Sequence, residues 1–515
     1  MCGILAVFFQ KNISVPFGDI MDAFNTLKNR GPDSGSLVVT DTDILGFRRL
    51  AINDISVKGE QPFVSDKSKL LCNGEIYNHK NIEKKFKIDC VSSSDCECIL
   101  HLHDKVGFKD MIDELSGDYA IIIETKDTVY FARDPIGVRP LFFGYTETGL
   151  FVLGSYARLL SKLCTVIHQV IPGWGKYDRK LGGIELYRHH HATSIIGDEK
   201  LVHDTLVNSV KSRLMSDRPV GCLLSGGLDS SLIASILCKL LGPNNVRTYS
   251  IGMDGSSDLK CARDVSEYLG TNHTEVRFTP EEGFAVIPDV IRDLESYDIT
   301  TIRASVAMWL LAQYISKNTD DKVLLSGEGA DELFCGYLYF HYAPTSENLY
   351  DESLRLVNNL YLYDVLRADR CISSHGLELR VPFLDKDMVK LCLSLPGKVR
   401  QPKKDIEKFL LRDSFKEGYI PNNVLWRRKD GMSDGVSGSS GKKWFEQIQN
   451  FIDNKISDSE FEDHSCRFPS KEAFYYKKLY DQIHPNYQPK YEYWMPKWVE
   501  CDGDPSGRVL KVFDS

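Results

Sequence analysis

Residues 220–237, with the sequence VGCLLSGGLDSSLIASIL, constrain the fold more than any other stretch of the chain. A buried strand over 220–224 runs into a turn rich in glycine and serine, and then into an apolar helix. Glycines let the backbone approach a phosphate closely, and hydroxyls and helix N-terminal N–H groups donate hydrogen bonds to it. Asp229 would repel a phosphate unless a cation lay between them, which indicates Mg²⁺. The stretch is not a Walker loop, and a strand–turn–helix corner that merely needs glycines is the alternative.

A second strand and glycine-rich turn, KVLLSGEGADELFCGY over 322–337, repeats this pattern. Its turn contains the carboxylates of Glu328 and Asp331. In an open α/β sheet such strand ends converge on the ligand crevice, so we expect Asp331 and Asp229 to share the metal. Glu328 would then serve as a base. Taken alone, the acidic turn is as consistent with a surface loop; beside the first loop, the functional interpretation is favoured.

The pattern of apolar residues divides the chain into two parts. Before residue 188, short alternating strands surround turn-formers, and helical stretches interrupt them at 20–29 and 96–104. This pattern predicts a sheet-rich α+β domain. A polar linker is expected at 189–197, and its RHHHA run favours a solvated segment over a metal site. From residue 200 onward, helical periods alternate with short apolar strands, which predicts a parallel sheet with helices on both faces. A flexible loop is expected at 431–443.

Length and charge narrow the class of protein. A chain of 515 residues is expected to form two or three domains. Its net charge of -9 gives no support for nucleic-acid binding. It has no apolar run long enough to span a membrane and no secretory signal, which predicts a cytoplasmic protein whose 14 cysteines are mostly reduced. Cys90, Cys96 and Cys98 lack a histidine at zinc-finger spacing and are interpreted as buried or incidental cysteines rather than a metal site.

The chain begins MCGILAVF, so removal of Met1 would leave Cys2 at the N-terminus. An α-amine has a pKa of about 7.7–8.0 and a free thiol one of about 8.5, so the amine can accept the thiol proton. Cys2 would then supply both nucleophile and base. From these residues alone, a cysteine placed by chance before a buried strand is the simpler explanation.

Together these features resemble the glutamine-dependent asparagine synthetases. The shared motifs occur in the family's order from residue 2 to near the C-terminus, and they are MCGI (1–4), RGPD (30–33), RRLAI (48–52), NGEIYNH (73–79), SDCE (94–97), RDPIGVRPLF (133–142), SGGLDSS (225–231), YDITTIRAS (297–305), SGEGADE (326–332), GYLYFHYAP (336–344), VLRADR (365–370), HGLELRVPFLD (375–385) and DPSGR (504–508). The resemblance reverses the chance interpretation of Cys2.

The resemblance implies two domains and two active sites. Residues 2–188 would form an α+β Ntn-hydrolase sandwich that releases ammonia from glutamine. Residues 200–515 would form an α/β ATP-pyrophosphatase domain that adenylates the side-chain carboxylate of aspartate with ATP and Mg²⁺. Ammonia would reach the β-aspartyl-AMP through a channel between the domains, giving asparagine, AMP, pyrophosphate and glutamate. No nucleic-acid or membrane partner is implied, and a homodimer is compatible with the family.

The site residues carried over from the family fall into two sets. In the first set Cys2 is the nucleophile, Asn73 and the Gly74 N–H form the oxyanion hole, Arg49 binds the glutamine carboxylate and Asp95 its ammonium group. The remaining members of this pocket are Leu50, Ala51, Ile52, Asn53 and Glu75. In the second set Asp229 and Asp331 bind the metal, Glu328 supports intermediate formation and ammonia attack, and Arg303 is a candidate for aspartate binding, with a structural ion pair as the alternative. The residues expected to bind ATP are Leu224, Ser225, Gly226, Gly227, Asp229, Ser230, Ile251, Ser326, Gly327 and Lys408.

Two departures and three alternatives accompany the resemblance. Tyr156 stands where relatives often have Glu, which affects the expected domain interface, and the loop at 429–435 departs from the usual pattern before its Ser-Asp-Gly.

The first alternative function is that of a β-lactam-forming enzyme, but such an enzyme usually lacks the N-terminal cysteine. An enzyme that amidates another carboxylate is not usually paired with such a domain. A degenerate, non-catalytic homologue should have lost at least one of the site residues, and all are present.

Overall fold

The computed structural model describes residues 1–9, 15–191, 197–427, 435–439, 441–490 and 492–499. The linker residues 192–196, most of the departing loop (429–434) and the motif at 504–508 lie outside the described residues. The domain boundaries 2–188 and 200–515 stay predictions.

The alternating residues of the first half form two antiparallel six-stranded sheets. The first sheet contains, in spatial order, Val166–Gln169 (β10), Phe142–Tyr145 (β8), Phe151–Gly154 (β9), Gly3–Phe8 (β1), Asp43–Arg49 (β3) and Ser34–Val39 (β2). The second contains Ile184–Arg188 (β12), Gly173–Asp178 (β11), Thr128–Arg133 (β7), Gly117–Thr125 (β6), Ser68–Ile76 (β5) and Phe63–Val64 (β4). The helices of this half are Phe17–Asn25 (α1), His79–Phe86 (α2), Glu97–Val106 (α3), Phe108–Glu114 (α4) and Ala157–Leu160 (α5).

The two sheets pack face to face because the strands alternate. Ile4 and Ala6 of β1 belong to a core shared with Leu71 of β5, whereas Leu5 of β1 packs on the other face of its sheet with Phe24 of α1. Helix α3 and its neighbours cover the outer face of the second sheet. This arrangement confirms the predicted α+β sandwich. It also places the start of β1, and with it Cys2, at one end of the two sheets.

The second half contains the predicted parallel sheet. Its five strands are, in spatial order, Asn272–Arg277 (β15), Arg247–Gly252 (β14), Val220–Leu223 (β13), Val323–Leu325 (β16) and Glu378–Arg380 (β17), and each neighbouring pair is parallel. The sequence did not predict β17, which is three residues long. Because β13 and β16 are adjacent, the two glycine-rich turns that follow them lie side by side.

Helices surround this sheet. They are Val202–Ser212 (α6), Leu228–Leu241 (α7), Ser257–Leu269 (α8), Pro280–Ala285 (α9), Ile287–Leu294 (α10), Ile299–Asn318 (α11), Ala330–Leu333 (α12), Ser346–Asn359 (α13), Asp364–Ser373 (α14), Lys386–Ser394 (α15), Gly397–Arg400 (α16), Phe409–Ser414 (α17), Asn422–Leu425 (α18), Trp444–Asp453 (α19), Asp458–Glu462 (α20) and Lys471–Ile483 (α21). Short 3₁₀ turns lie at Val57–Gly59, Glu199–Leu201, Pro243–Asn245, Leu338–Tyr342, Leu360–Leu362 and Pro382–Leu384. None of the helices in the described part of the chain is long and apolar enough to span a membrane.

The histidine run differs from the predicted solvated linker. His189 and His191 are only partly exposed, and their rings meet edge to face with centroids 4.6 Å apart. A ring nitrogen of His191 lies 3.2 Å from the carbonyl oxygen of Pro135. His191 therefore packs against the first half of the chain, where its ring nitrogen meets a backbone carbonyl.

Candidate active sites

Cys2 lies directly before β1 and is partly buried. Its thiol donates to the carbonyl oxygen of Leu50 at 3.7 Å, which links it to the segment that follows β3. The α-amine of Met1 lies 3.9 Å from the Glu378 carboxylate and is buried. Burial lowers the pKa of this amine to about 6 and raises the pKa of the Cys2 thiol to about 11. This amine belongs to Met1. Once Met1 is removed, the α-amine of Cys2 itself would be the base that the thiol needs.

Asn73 and Gly74 lie on β5, in the sheet that faces the one containing β1. Both polar atoms of the Asn73 amide are buried and have no hydrogen-bond partner within the described part of the chain. A Cβ atom on Gly74 would collide with the carbonyl oxygen of Asp118 on the neighbouring strand β6. A buried amide with unused donors and acceptors is costly unless a ligand uses it. This geometry suits the predicted oxyanion hole.

The other predicted glutamine-binding side chains form a hydrogen-bonded group. The Asn53 amide donates to the Asp95 carboxylate at 3.1 Å and also to Glu75. Asp95 accepts a second hydrogen bond, 2.6 Å long, from the backbone N–H of Ile76. Burial raises the pKa of Asp95, and burial together with the charge of Asp95 raises the pKa of Glu75 well above its usual value. The structure therefore brings Asn53, Glu75 and Asp95 together.

Arg49 is engaged with backbone carbonyls. Its guanidinium donates to the carbonyl of Ser56 at 2.7 Å and also to that of Asp54. These bonds fix the 50–56 segment, which contains Leu50, Ala51, Ile52 and Asn53. To bind a glutamine carboxylate, Arg49 would exchange at least one of these carbonyls for the ligand.

The second site is a cavity of about 530 Å³ at the carboxyl ends of the parallel strands. The predicted residues that line it are Leu224, Ser225, Gly227, Asp229, Ser230, Ile251, Ser326, Gly327, Glu328, Asp331 and Lys408. Gly226 is not among its lining residues; it has φ +75° and packs against Cys261, so it shapes the turn instead. The 14-residue helix α7 begins at Leu228 and points its N-terminus at the cavity, which favours an anion there.

Lys408 joins the two acidic residues of the glycine-rich turns. Its ammonium group lies 2.5 Å from the Asp229 carboxylate and 2.8 Å from the Asp331 carboxylate. Lys408 is buried, and these two charges raise its pKa. The two carboxylates thus already converge on a cation. Carboxylate oxygens are the ligands that Mg²⁺ prefers, so this donor set fits the predicted metal.

Glu328 pairs with an arginine that the sequence analysis did not assign. The guanidinium of Arg367 lies 2.9 Å from Glu328 and 2.7 Å from Asp364, and all three residues line the cavity. Burial raises the pKa of Glu328 to about 7, with Arg367 acting in the opposite direction. The motif VLRADR, which contains Arg367, was the available signal, but nothing in the sequence showed that it faces Glu328.

Arg303 lies away from the cavity. Its guanidinium makes two contacts with the Glu472 carboxylate, at 2.8 and 2.5 Å, and both side chains are buried. Thr300 and Thr301 from the same helix do line the cavity. Arg303 projects from another side of α11, so the structural ion pair that was its alternative describes it better than aspartate binding.

The two sites meet at an interface rich in arginine. Arg380 of β17 lies 3.3 Å from Glu75 of the first site, and its carbonyl accepts the N–H of Ser326 in the second. Tyr156, the residue that departs from the family, is buried here. Its ring lies beneath the guanidinium of Arg370, 4.1 Å from the ring centroid. The departure therefore does fall at the interface, where an aromatic ring packs among arginines.

Comparisons with known proteins agree with this division. The family model described as "Glutamine amidotransferase domain" matches residues 1–172, and the one described as "Asparagine synthase" matches residues 201–360 and 343–500. The chain belongs to the asparagine synthetase family. The first match covers β1 to β10 of the sandwich, and the second covers the parallel sheet.

Full-length relatives carry the same name. The chain is 40% identical to "Asparagine synthetase [glutamine-hydrolyzing]" from Rattus norvegicus, over 100% of this chain and 99% of the relative. It is 41% identical to the Homo sapiens protein of that name and 40% identical to the Gallus gallus one, with the same coverage. The chain thus contains both matched domains, and its alignment with these relatives runs over their full length.

Proposed function

We propose that this member of the asparagine synthetase family makes L-asparagine from L-aspartate, ATP and L-glutamine. The observation that carries the proposal is the presence of two sites that share one residue. Arg380 contacts Glu75 in the Cys2 site and accepts the Ser326 N–H beside the phosphate cavity. A glutaminase alone would not need the cavity, and an ammonia-dependent ligase would not need Cys2.

We assign glutamine hydrolysis to residues 2–188. After Met1 is removed, the Cys2 thiol gives its proton to the chain's own α-amine, and the sulfur attacks the glutamine amide carbon. The C–N bond breaks as the α-ammonium gives this proton to the leaving ammonia, and water then hydrolyses the thioester to glutamate and the free thiol. The Asn73 amide and the Gly74 N–H stabilise the oxyanion. Asp95, Glu75 and Asn53 bind the ammonium end of glutamine, and Arg49 binds its carboxylate. The unused donors of Asn73 support this assignment.

We assign aspartate activation to residues 200–515. The β13–α7 turn and the Ser326–Gly327 turn hold the ATP phosphates with backbone N–H groups and hydroxyls. Lys408 then exchanges a carboxylate partner for phosphate. Mg²⁺, held by Asp229 and Asp331, would neutralise the charge that develops on the pyrophosphate as it leaves. The aspartate side-chain carboxylate attacks the α-phosphorus of ATP, the bond to pyrophosphate breaks, and the side chain becomes β-aspartyl-AMP.

Arg367 and Glu328 are the proposed groups for aspartate and ammonia. Arg367 brings a positive charge to the cavity beside Glu328, so it replaces Arg303 as the residue that faces the aspartate carboxylate. Glu328, with a pKa near 7, accepts the proton that ammonia loses as it attacks. Ammonia that reached bulk water would be protonated, so a dry route through the interface is part of the proposal. A cytoplasmic location and a homodimer remain expectations.

The proposal is tested with glutamine labelled with ¹⁵N at the amide, together with aspartate, Mg²⁺ and ATP. Labelled asparagine formed together with AMP and pyrophosphate is the expected result. Glutamate and free labelled ammonia without asparagine would refute the assignment of aspartate as acceptor. Absence of ATP binding would favour a degenerate homologue.

A further inference from the structure

Three side chains of types that can bind a metal meet beside helix α3 of the sandwich domain, and none of them is assigned to either active site. Cys90, Glu97 and His101 each offer one ligand atom, and the three atoms lie within 4.8 Å of one another. Among the described residues, these are the three His, Cys, Asp or Glu side chains whose ligand atoms lie this close together. Glu97 and His101 are one turn apart on α3, with a carboxylate oxygen 3.4 Å from the imidazole Nε2. We call these residues the Cys90 cluster.

The Glu97 carboxylate holds Cys90 in this position. It accepts hydrogen bonds from the backbone N–H groups of Val91 at 2.9 Å and Ser92 at 2.7 Å. Because these residues directly follow Cys90, the chain must bend back over the start of α3. The thiol is therefore placed by a buried carboxylate and not by chance on a free loop. Cys90 and His101 both remain partly exposed, so the cluster can be reached from solvent.

The charges around the cluster attract a cation. Glu97, Glu83 and Asp89 all act on the Cys90 thiol with negative charge, and Lys80 acts with positive charge. Lys80 itself lies 3.1 Å from Glu83, and Glu83 also contacts His79. The thiol thus faces more negative than positive charge. A divalent cation bound there would relieve this repulsion.

We propose that Cys90, Glu97 and His101 bind a zinc-type transition-metal ion. One sulfur, one imidazole nitrogen and one carboxylate oxygen suit Zn²⁺ and disfavour Mg²⁺, which prefers oxygen ligands only. On binding, the Cys90 S–H loses its proton to solvent and the sulfur–metal bond forms without any change of oxidation state. Tetrahedral coordination at zinc needs ligand atoms roughly 3.4 Å apart. Side-chain rotations that move the ligand atoms by about 1 Å would bring them to this separation. A water molecule takes the fourth position.

The ion would fasten a segment that contributes to the glutamine site. Residues 90–97 contain Asp95, and the Ser93 N–H donates to Asp54 at 2.8 Å. Asp54 belongs to the loop that Arg49 holds. A metal ion bound by Cys90 and by the two ligands on α3 would therefore fix both ends of the 90–97 segment. We expect the metal to stabilise the sandwich domain and leave ammonia-dependent synthesis unchanged.

The first experiment titrates chelator-treated full-length protein with Co²⁺ in saturating Mg²⁺, which occupies oxygen-only sites. A thiolate-to-cobalt charge-transfer band at one equivalent is the expected result, and Zn²⁺ should abolish it by displacement. Cys90→Ser should remove the band and weaken Zn²⁺ binding by at least about 10-fold. His101→Ala should weaken binding similarly while keeping a sulfur ligand.

Matched variants separate this site from other ligands on the chain. Cys466→Ser removes an exposed thiol, His190→Ala interrupts the histidine run, and Cys2→Ala removes the proposed nucleophile; all three should retain the band. Zn²⁺ should also raise the thermal unfolding midpoint of wild type and not of Cys90→Ser. Equal Zn²⁺ affinity of wild type and Cys90→Ser, or no charge-transfer band in either, would overturn the proposal. Either of these two results would leave the proposed synthesis of asparagine untouched, because that function is tested separately with labelled glutamine.

Discussion

The guanidinium of Arg380 lies 3.3 Å from the carboxylate of Glu75, and these two residues belong to different halves of the chain. Arg380 also lies 2.8 Å from Glu378, and all three side chains are buried. A buried arginine that neutralises two carboxylates holds the halves in one relative position. It also places the backbone of the Ser326 turn at a fixed distance from the glutamine pocket.

Arg380→Met should strongly destabilise the interface. It leaves Glu75 buried without its paired cation and removes one of the positive charges around Glu378, and breaking a buried pair costs about 3–5 kcal/mol. We expect the thermal unfolding midpoint of the sandwich domain to fall by roughly 6 °C or more. Adding Glu75→Gln should restore part of this loss, since it removes one uncompensated charge. A single variant as stable as wild type would show that the contact does not hold the halves together.

Retention of Met1 should abolish glutamine hydrolysis and spare ammonia-dependent synthesis. With Met1 present the α-amine belongs to the wrong residue, and the Cys2 thiol, whose pKa is raised to about 11, has no base of its own. Preparations with and without Met1, distinguished by mass spectrometry, are compared for glutamate release. Equal rates in the two forms would contradict the proposed base.

Asn73→Ala should reduce glutamine hydrolysis by about 10²–10³-fold, which corresponds to about 2.7–4 kcal/mol. Its stability should change by less than about 1 kcal/mol, because the described residues give the Asn73 amide no hydrogen bond to lose. Glutaminase kinetics and denaturant unfolding are measured on the same preparation. A large loss of stability would mean that the amide has a structural role instead.

Lys408→Met should lower ATP-dependent pyrophosphate release by about 10²-fold or more, since it removes a charge that faces the phosphates. In the absence of ATP the same variant should bind Mg²⁺ more tightly than wild type. Its two carboxylates, Asp229 and Asp331, would no longer be neutralised by the lysine. The exposed Lys398→Met serves as control and should change neither quantity. Weaker Mg²⁺ binding by Lys408→Met would argue against the assigned metal ligands.

Asparagine formation should fall as the pH drops through about 7, where Glu328 becomes protonated. The sign follows from its role: the carboxylate form accepts a proton, so the rate rises with pH and levels off above the pKa. Rates are measured at constant free ammonia, because ammonia also titrates. Glu328→Gln should lower the rate by about 10²–10⁴-fold and lose this inflection. An unchanged inflection in the variant would assign it to another group.

The sequence by itself determined the elements that depend on local pattern. Alternation around turn-formers in the stretches that form β2–β3, β6–β7 and β8–β9 predicted a sheet-rich α+β domain. Strand–glycine–helix order predicted the parallel sheet and both glycine-rich turns at the cavity. Asp229, Asp331 and Glu328 were named from the glycine-rich turns because their chemistry follows from residue type and neighbours. Cys2 and Asn73 received their roles from the resemblance to the family.

Only the tertiary structure decided which distant side chains meet. Arg303 and Arg367 look equally suited to bind a carboxylate in sequence, yet α11 directs Arg303 to Glu472, whereas α14 directs Arg367 to Glu328. Cys90 was interpreted, together with Cys96 and Cys98, as a buried or incidental cysteine with no histidine at zinc-finger spacing, whereas the fold places it beside Glu97 and His101. The pairing of charges depends on how helices are oriented about a common core, and a linear pattern carries no such orientation.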